Sequence, residues 1–304
     1  MTHNITHHKP HIWARALSWL ANPKGLNNLD KLRNAVEGKH ILLTGASFGI
    51  GEATAYRLAN AGAILFLVAR SSDKLQQVVA KIRAGGGQAY AYSADLSKPE
   101  QAKALIETML AEHHYVDILI NNAGKSIRRS IMMSENRFQD FERTMAINYL
   151  GPVQLVLALL PSMRARKQGH IINISTWGVR MPPGARWAAY QASKGAFDIW
   201  LRSVALEIKA QGIDTTSIYP AIVYTRMSAP TPWMHLLPGM TTDEAAHVIE
   251  RAIVDKPIDI IPPFLRPGEV TSVLFPAPIR KGMQLVFKYS KDSEASIKSA
   301  QKGL

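Results

Sequence analysis

Tyr190 and Lys194 stand four residues apart in Tyr190-Gln-Ala-Ser-Lys194. On a helix that spacing puts both side chains on one face, where an ammonium beside a phenol favours the phenolate. A free phenol titrates near ~10, too high for efficient proton transfer at neutral pH, so the spacing predicts a tyrosine whose pKa its lysine lowers. Far upstream, Thr44-Gly45-Ala46-Ser47-Phe48-Gly49-Ile50-Gly51 places glycines at 45, 49 and 51. Between a strand and a helix, such a loop turns tightly and brings backbone N–H groups up to a pyrophosphate. A dinucleotide for hydride and a phenol for a proton are together the equipment for interconverting a carbonyl and an alcohol. The spacing is Gly-x-x-x-Gly-x-Gly, not the commoner Gly-x-Gly-x-x-Gly.

The second apolar run ends in Val68-Ala69-Arg70-Ser71. NAD enzymes of this topology place a carboxylate here to accept from the ribose 2′-hydroxyl, and an arginine with a serine instead favours a 2′-phosphate. The cofactor expected is NADP(H), with Lys74 one turn further on as a second cation or a solvent-facing one.

The elements that must position these residues follow in regular order from Lys39. Short apolar runs at 41–43, 64–68, 89–93, 118–120, 170–174 and 214–219 alternate with helical stretches at 51–61, 72–84, 98–112, 135–166 and 190–211. Unalternating β-rich runs between helices mark a parallel sheet covered on both faces, an α/β Rossmann-type doubly wound fold in three α/β/α layers. Pro152 marks a break or a first-turn position within 135–166. A proline-rich segment (227–240), a helix (242–254) and a last run (258–261) precede Pro262-Pro263. The chain is read as a single catalytic domain, 39–262, between an N-terminal extension, 1–38, and a basic C-terminal extension, 263–304. The first extension carries an amphipathic helix over 12–20.

The composition, 47% hydrophobic and 19% charged, fits a globular chain, and the net charge of +13 is concentrated at the ends. Residues 1–39 hold six basic and two acidic side chains, and residues 260–304 hold seven and three. Basic ends suit anionic partners such as phospholipid headgroups or coenzyme A phosphates, or are simply solvated tails. There is no cysteine, which excludes thiolate metal sites and thiohemiacetal chemistry. His3, His7, His8 and His11 lack a carboxylate at ligand spacing and are read as tail, so no metal is expected. No nucleic-acid module, secretory signal or uninterrupted spanning run is apparent, and a cytoplasmic setting, with or without membrane association, is expected.

The glycine motif, Asp95-Leu96, Asn121-Asn122-Ala123-Gly124, Asn148, a hydroxyl after Asn173-Ile174, Tyr190-x-x-x-Lys194 and Pro220 to Thr225 occur in this order. In them the chain resembles the short-chain dehydrogenase/reductase superfamily over about residues 39–262. The resemblance implies that Asp95 and Leu96 flank the adenine, that Asn122, Ala123 and Gly124 line the cofactor channel, and that Pro220, Val223 and Thr225 hold the nicotinamide end. It also implies that Tyr190 is the acid/base, that Lys194 binds nicotinamide ribose hydroxyls, and that Asn148 holds a water of a proton relay. The second hydroxyl that stabilises the oxyanion comes from Ser175 or Thr176, which face opposite ways, and Thr176 is favoured by its place as second of the pair. Ala221 departs from the family's usual glycine. Homodimers or homotetramers through the long helices are implied.

The segment 121–130, with Arg137-Phe138-x-Asp140-Phe141-Glu142-Arg143-Thr144-Met145, resembles the bacterial long-chain fatty acyl-CoA reductases of this superfamily. That implies NADPH-dependent reduction of a fatty acyl thioester or a long-chain aldehyde. Met132, Met133, Met227, Trp233, Met234, Leu236 and Leu237 suit an acyl chain or a core. Arg128 and Arg129 would meet a carrier phosphate or pair with Glu135 or Glu142. The alternatives are a 3-oxoacyl, ketone or steroid alcohol dehydrogenase using the same residues, and an NADP(H)-sensing protein without turnover.

Overall fold

The β-branched and leucine-rich runs form seven strands in a computed structural model that describes residues 17–181, 184–294 and 296–297. The strands are β1 (His40–Thr44), β2 (Ile64–Ala69), β3 (Gln88–Ser93), β4 (Ile118–Asn121), β5 (Gly169–Ile174), β6 (Ile213–Ile218) and β7 (Asp259–Ile260). All pair in parallel in the order β3-β2-β1-β4-β5-β6-β7. Every residue of β4 and β5 is buried, Asn121, His170 and Asn173 included, which is why these strands do not alternate apolar and polar residues. The order reverses between β1 and β4, so the loops leaving their C-terminal ends diverge and open a crevice.

Ten helices of eight residues or more occur among the described residues: α1 (Leu29–Val36), α2 (Gly49–Asn60), α3 (Ser72–Ala84), α4 (Pro99–His113), α5 (Phe138–Met145), α6 (Gly151–Arg166), α7 (Ala188–Ile208), α8 (Thr242–Asp255), α9 (Leu265–Leu274) and α10 (Pro276–Tyr289). Two apolar clusters, one on each face, make the core. One holds Leu58, Leu65, Val79, Ile120 and Ile249, the other Phe66, Ile106, Leu155, Ile171 and Phe197. Most boundaries lie within a few residues of those expected.

The N-terminal segment departs from its expected separateness. Asn28 caps α1 by accepting from Lys31 N, and Leu32 and Val36 are wholly buried in the main core. Leu26 N donates to the His247 carbonyl at 2.8 Å, so residues from about 22 onward pack as part of the domain. Of the amphipathic helix expected over 12–20, only a turn at Ser18–Ala21 is seen, and 12–16 lie outside the described residues. The stretch expected to be helical from 135 begins at Phe138 and continues to Arg166 through a π-helical segment, Ala146–Leu150. That 29-residue run is long and apolar enough to cross a membrane, yet it packs on α4 and α7 and carries Asn148 into the crevice. Pro152 sits where the π-helical segment passes into α6, and the helix continues through it.

Candidate active site

The glycine loop joins β1 to α2 at the crevice. Gly45 and Gly49 have φ of +68° and +60°, which favour glycine. Gly51 is required for a different reason: a Cβ there would lie 2.2 Å from the Gly45 carbonyl oxygen. Phe48, extended at φ −154°, is the N-cap of α2 and offers no side-chain acceptor, so the first amides of the helix point into the crevice with its positive dipole end. Thr44 Oγ1 accepts from the Asn122 and Ala123 amides at 3.0 and 2.9 Å, and Asn122 Nδ2 donates to the Thr44 carbonyl at 3.0 Å. These bonds lock the β1 and β4 loops together. From the far side, the segment 220–240 is pinched by a Val223–Met240 bridge and brings Thr225 to 3.6 Å from where a Cβ on Gly49 would lie. Arg226 lies 4.3 Å over the Phe48 ring.

At the end of β2, Arg70 and Ser71 are exposed. Asp95, after β3, accepts from Ser97 N and Oγ at 3.1 and 2.7 Å. Burial would raise its carboxyl, but these bonds and the Arg70 and Lys98 charges hold it below the ordinary range. The Leu96 carbonyl would lie 2.0 Å from a Cβ on Gly151, so a glycine opening α6 lets this loop seat on the helix.

At the centre, Tyr190 opens α7 beside the end of β5. Of the two hydroxyls that end β5, Thr176 is the one that favours the ionised form of the Tyr190 phenol, whereas Ser175 acts on the buried Asp198 carboxyl. Lys194, one turn on and 6% exposed, donates from Nζ to the Ile174 carbonyl at 2.8 Å. Asn148, in the π-helical turn, donates from Nδ2 to the Lys125 carbonyl and Ser193 Oγ at 2.8 and 2.9 Å, while its Oδ1 accepts from Lys125 N. A Cβ on Gly124 would lie 3.0 Å from Asn148 Oδ1 and 3.3 Å from Lys194 Nζ, so glycine keeps that gap open.

The electrostatics correct one expectation. Burial pushes the Tyr190 phenol up to about 12, opposed by the Thr176 hydrogen bond; it is not lowered. The same burial brings Lys194 down to about 8, against the pull of Asp198. Helical spacing put the two on one face correctly, but it ignored the desolvation that both suffer and the carbonyl that takes the ammonium.

The short chain dehydrogenase family model matches residues 39–234. The chain belongs to this family. It is 43% identical over 270 residues to a fatty acyl-CoA reductase of Acinetobacter baylyi, covering 89% of this chain and 91% of the relative. It is 42% identical over 225 residues to a fatty acyl-CoA reductase of Mycobacterium tuberculosis, covering 74% and 76%. Among solved structures, a metagenomic short-chain oxidoreductase in complex with NADP is similar at 30% identity with a TM-score of 0.65, over 75% of this chain and 97% of that one.

In this short-chain dehydrogenase the expected residues lie on six loops that follow the strands and on two helices. Thr44, Ser193 and Gln191 went without a role in the sequence reading. Thr44 precedes the first glycine, a position that could have flagged it. Gln191, which accepts from Gly184 N at 2.9 Å and donates to the Gly178 carbonyl at 3.1 Å, pins the loop before Tyr190, and nothing in its local pattern announces that. Arg129 pairs at 3.2 Å with Asp140, not with Glu135 or Glu142, and Arg128 lies 5.2 Å over the Trp187 ring. A cavity of about 310 Å³, lined by apolar residues (Ile127, Ile131, Phe141, Phe287) and by charged ones (Arg129, Asp140, Arg186), reaches Ala188 and Ala189 at the start of α7. Met132, Met227, Trp233 and Leu236 are exposed.

Proposed function

We propose that this chain is an NADP(H)-dependent reductase of long-chain carbonyls, acting on a fatty acyl thioester or a fatty aldehyde. The observation that carries the chemistry is that Tyr190 and Lys194 open α7 against the end of β5, where Lys194 Nζ donates to the Ile174 carbonyl and Thr176 follows, with Gly124 and the glycine cradle alongside. The cradle fits a dinucleotide: Gly45, Gly49 and Gly51 admit a close backbone approach, and Arg70 with Ser71 stands where a 2′-phosphate would be held. Bound there, the cofactor supplies hydride. Tyr190, kept protonated by its raised pKa, donates the proton to the oxygen on which negative charge develops, and Thr176 donates a hydrogen bond to the same oxygen. Lys194 holds ribose hydroxyls and, with Asn148, replenishes the proton from solvent. The long-chain substrate is supported by two relatives named fatty acyl-CoA reductase. Self-association belongs to the same reading, supported by Leu150, Leu157, Ile199 and Leu206, which α7, α6 and the π-helical turn leave exposed.

The experiment is NADPH oxidation measured with palmitoyl-CoA, a long-chain aldehyde, a β-ketoacyl thioester and a steroid ketone in parallel. The proposal expects turnover with one or both of the first two. Turnover confined to the last two would replace it with a ketone reductase.

A further inference from the structure

Helix α10 contains no buried residue, although half of it is apolar. At 100° per residue its side chains divide into three strips. Ile279, Met283 and Phe287 are half-buried against the body; Arg280, Lys281, Gln284 and Lys288 form a basic strip; Leu285, Val286 and Tyr289 face outward at 49%, 60% and 77% exposure. The turn from α9 adds Val273, at 77%, with Leu274 and Phe275. Apolar surface of this extent on an ordered helix marks a contact face.

The face is ordered, not a loose tail. Arg186 donates to Ser290 Oγ and O at 2.6 and 2.8 Å and lies 4.3 Å over the Phe287 ring. Asp292 accepts from Ser130 N at 2.7 Å, and Ser296 Oγ donates to the Arg128 carbonyl at 2.7 Å. At the other end, Arg180 pairs with Glu269. Glu269 and Asp292 are therefore engaged with the body, and the 22 residues between them hold four basic side chains and no acidic one.

We propose that the α9–α10 face docks on an anionic phospholipid surface. A tyrosine and aliphatic side chains flanked by lysines with flexible stems match the boundary between acyl chains and headgroups. Charge selects this occupant over a second copy of the chain, because the strip is uniformly basic and the molecule carries +13. Phe287, on the inner side of the same helix, also lines the cavity that reaches Ala188 and Ala189, so docking places that cavity next to the bilayer. The inference rests on the helix and its charges and stands whichever carbonyl is reduced.

The test is cosedimentation of the full-length protein with vesicles of phosphatidylcholine alone or mixed with phosphatidylglycerol. The wild type is expected to pellet with the mixed vesicles, less so at high salt. Leu285→Ser/Tyr289→Ser and Lys281→Glu/Lys288→Glu are each expected to weaken that binding at least roughly tenfold while melting at the wild-type temperature. No pelleting with mixed vesicles would overturn the proposal, as would double variants that bind like wild type. A smaller sedimentation coefficient for Leu285→Ser/Tyr289→Ser in a protein that never pellets with lipid would assign the face to a second copy and overturn it too.

Discussion

Thr176 and Ser175 are neighbours at the end of β5, yet one acts on the Tyr190 phenol and the other on Asp198. Thr176→Val is therefore expected to lower kcat on the order of 10²–10³-fold, the usual loss for an oxyanion donor, whereas Ser175→Ala should stay within a few-fold. Steady-state kinetics of the two variants decides between them. Arg70→Glu should raise KM for NADPH by roughly two orders of magnitude and leave KM for NADH nearly unchanged, since only the former presents a 2′-phosphate to repel. Lys194 gives a pH signature. Its folded pKa, about 8, lies below the ordinary 10.5. Between those values the unfolded chain binds the extra proton, so stability rises with pH in that window. Urea titrations at pH 7.5 and 9.5 should show that rise, about 2 kcal/mol from this group, shrinking in Lys194→Met. An unchanged pH dependence would mean the lysine is not desolvated.

Between elements, backbone closeness fixes where groups sit. Gly51 holds the first turn of α2 on the loop it leaves, and Gly151 does the same for α6 on the Leu96 carbonyl. Gly51→Ala forces a Cβ to within 2.2 Å of a carbonyl oxygen and should cost roughly 1–3 kcal/mol of stability together with most cofactor affinity. Gly195, in α7, has nothing within 4 Å of a Cβ position, so Gly195→Ala should stabilise the protein by about 0.5–1 kcal/mol. Thermal melts and dinucleotide titration of the two variants check both outcomes. The strands and helices of the catalytic domain were legible in sequence because parallel strands buried on both faces read as apolar runs and the glycines fall at β1's end. The π-helical turn at Asn148 and the seating of α1 were not, since each depends on partners distant in sequence: Lys125 and Ser193 for one, the main core for the other.

For the whole molecule, the doubly wound order gathers residues spread from Gly45 to Thr225 at one end of the sheet. The ordered succession of motifs made that gathering readable, since Asp95, Asn122 and Pro220 each follow a strand of the sheet. The tyrosine's acidity was not readable, because burial is a property of the assembled crevice and it reverses the shift that spacing suggests. Self-association should appear as a dimer or tetramer by sedimentation velocity, and Leu157→Glu with Leu206→Glu should shift it toward monomer without unfolding the chain, both sites being exposed. The most direct test of the account is NADPH-dependent turnover of palmitoyl-CoA and of a long-chain aldehyde by wild type and Tyr190→Phe side by side, with NADPH binding followed by fluorescence. The account predicts turnover by wild type and its loss, on the order of 10³-fold or more, in a variant that still binds NADPH. Equal turnover in the two proteins, or none in wild type with either substrate, would contradict it.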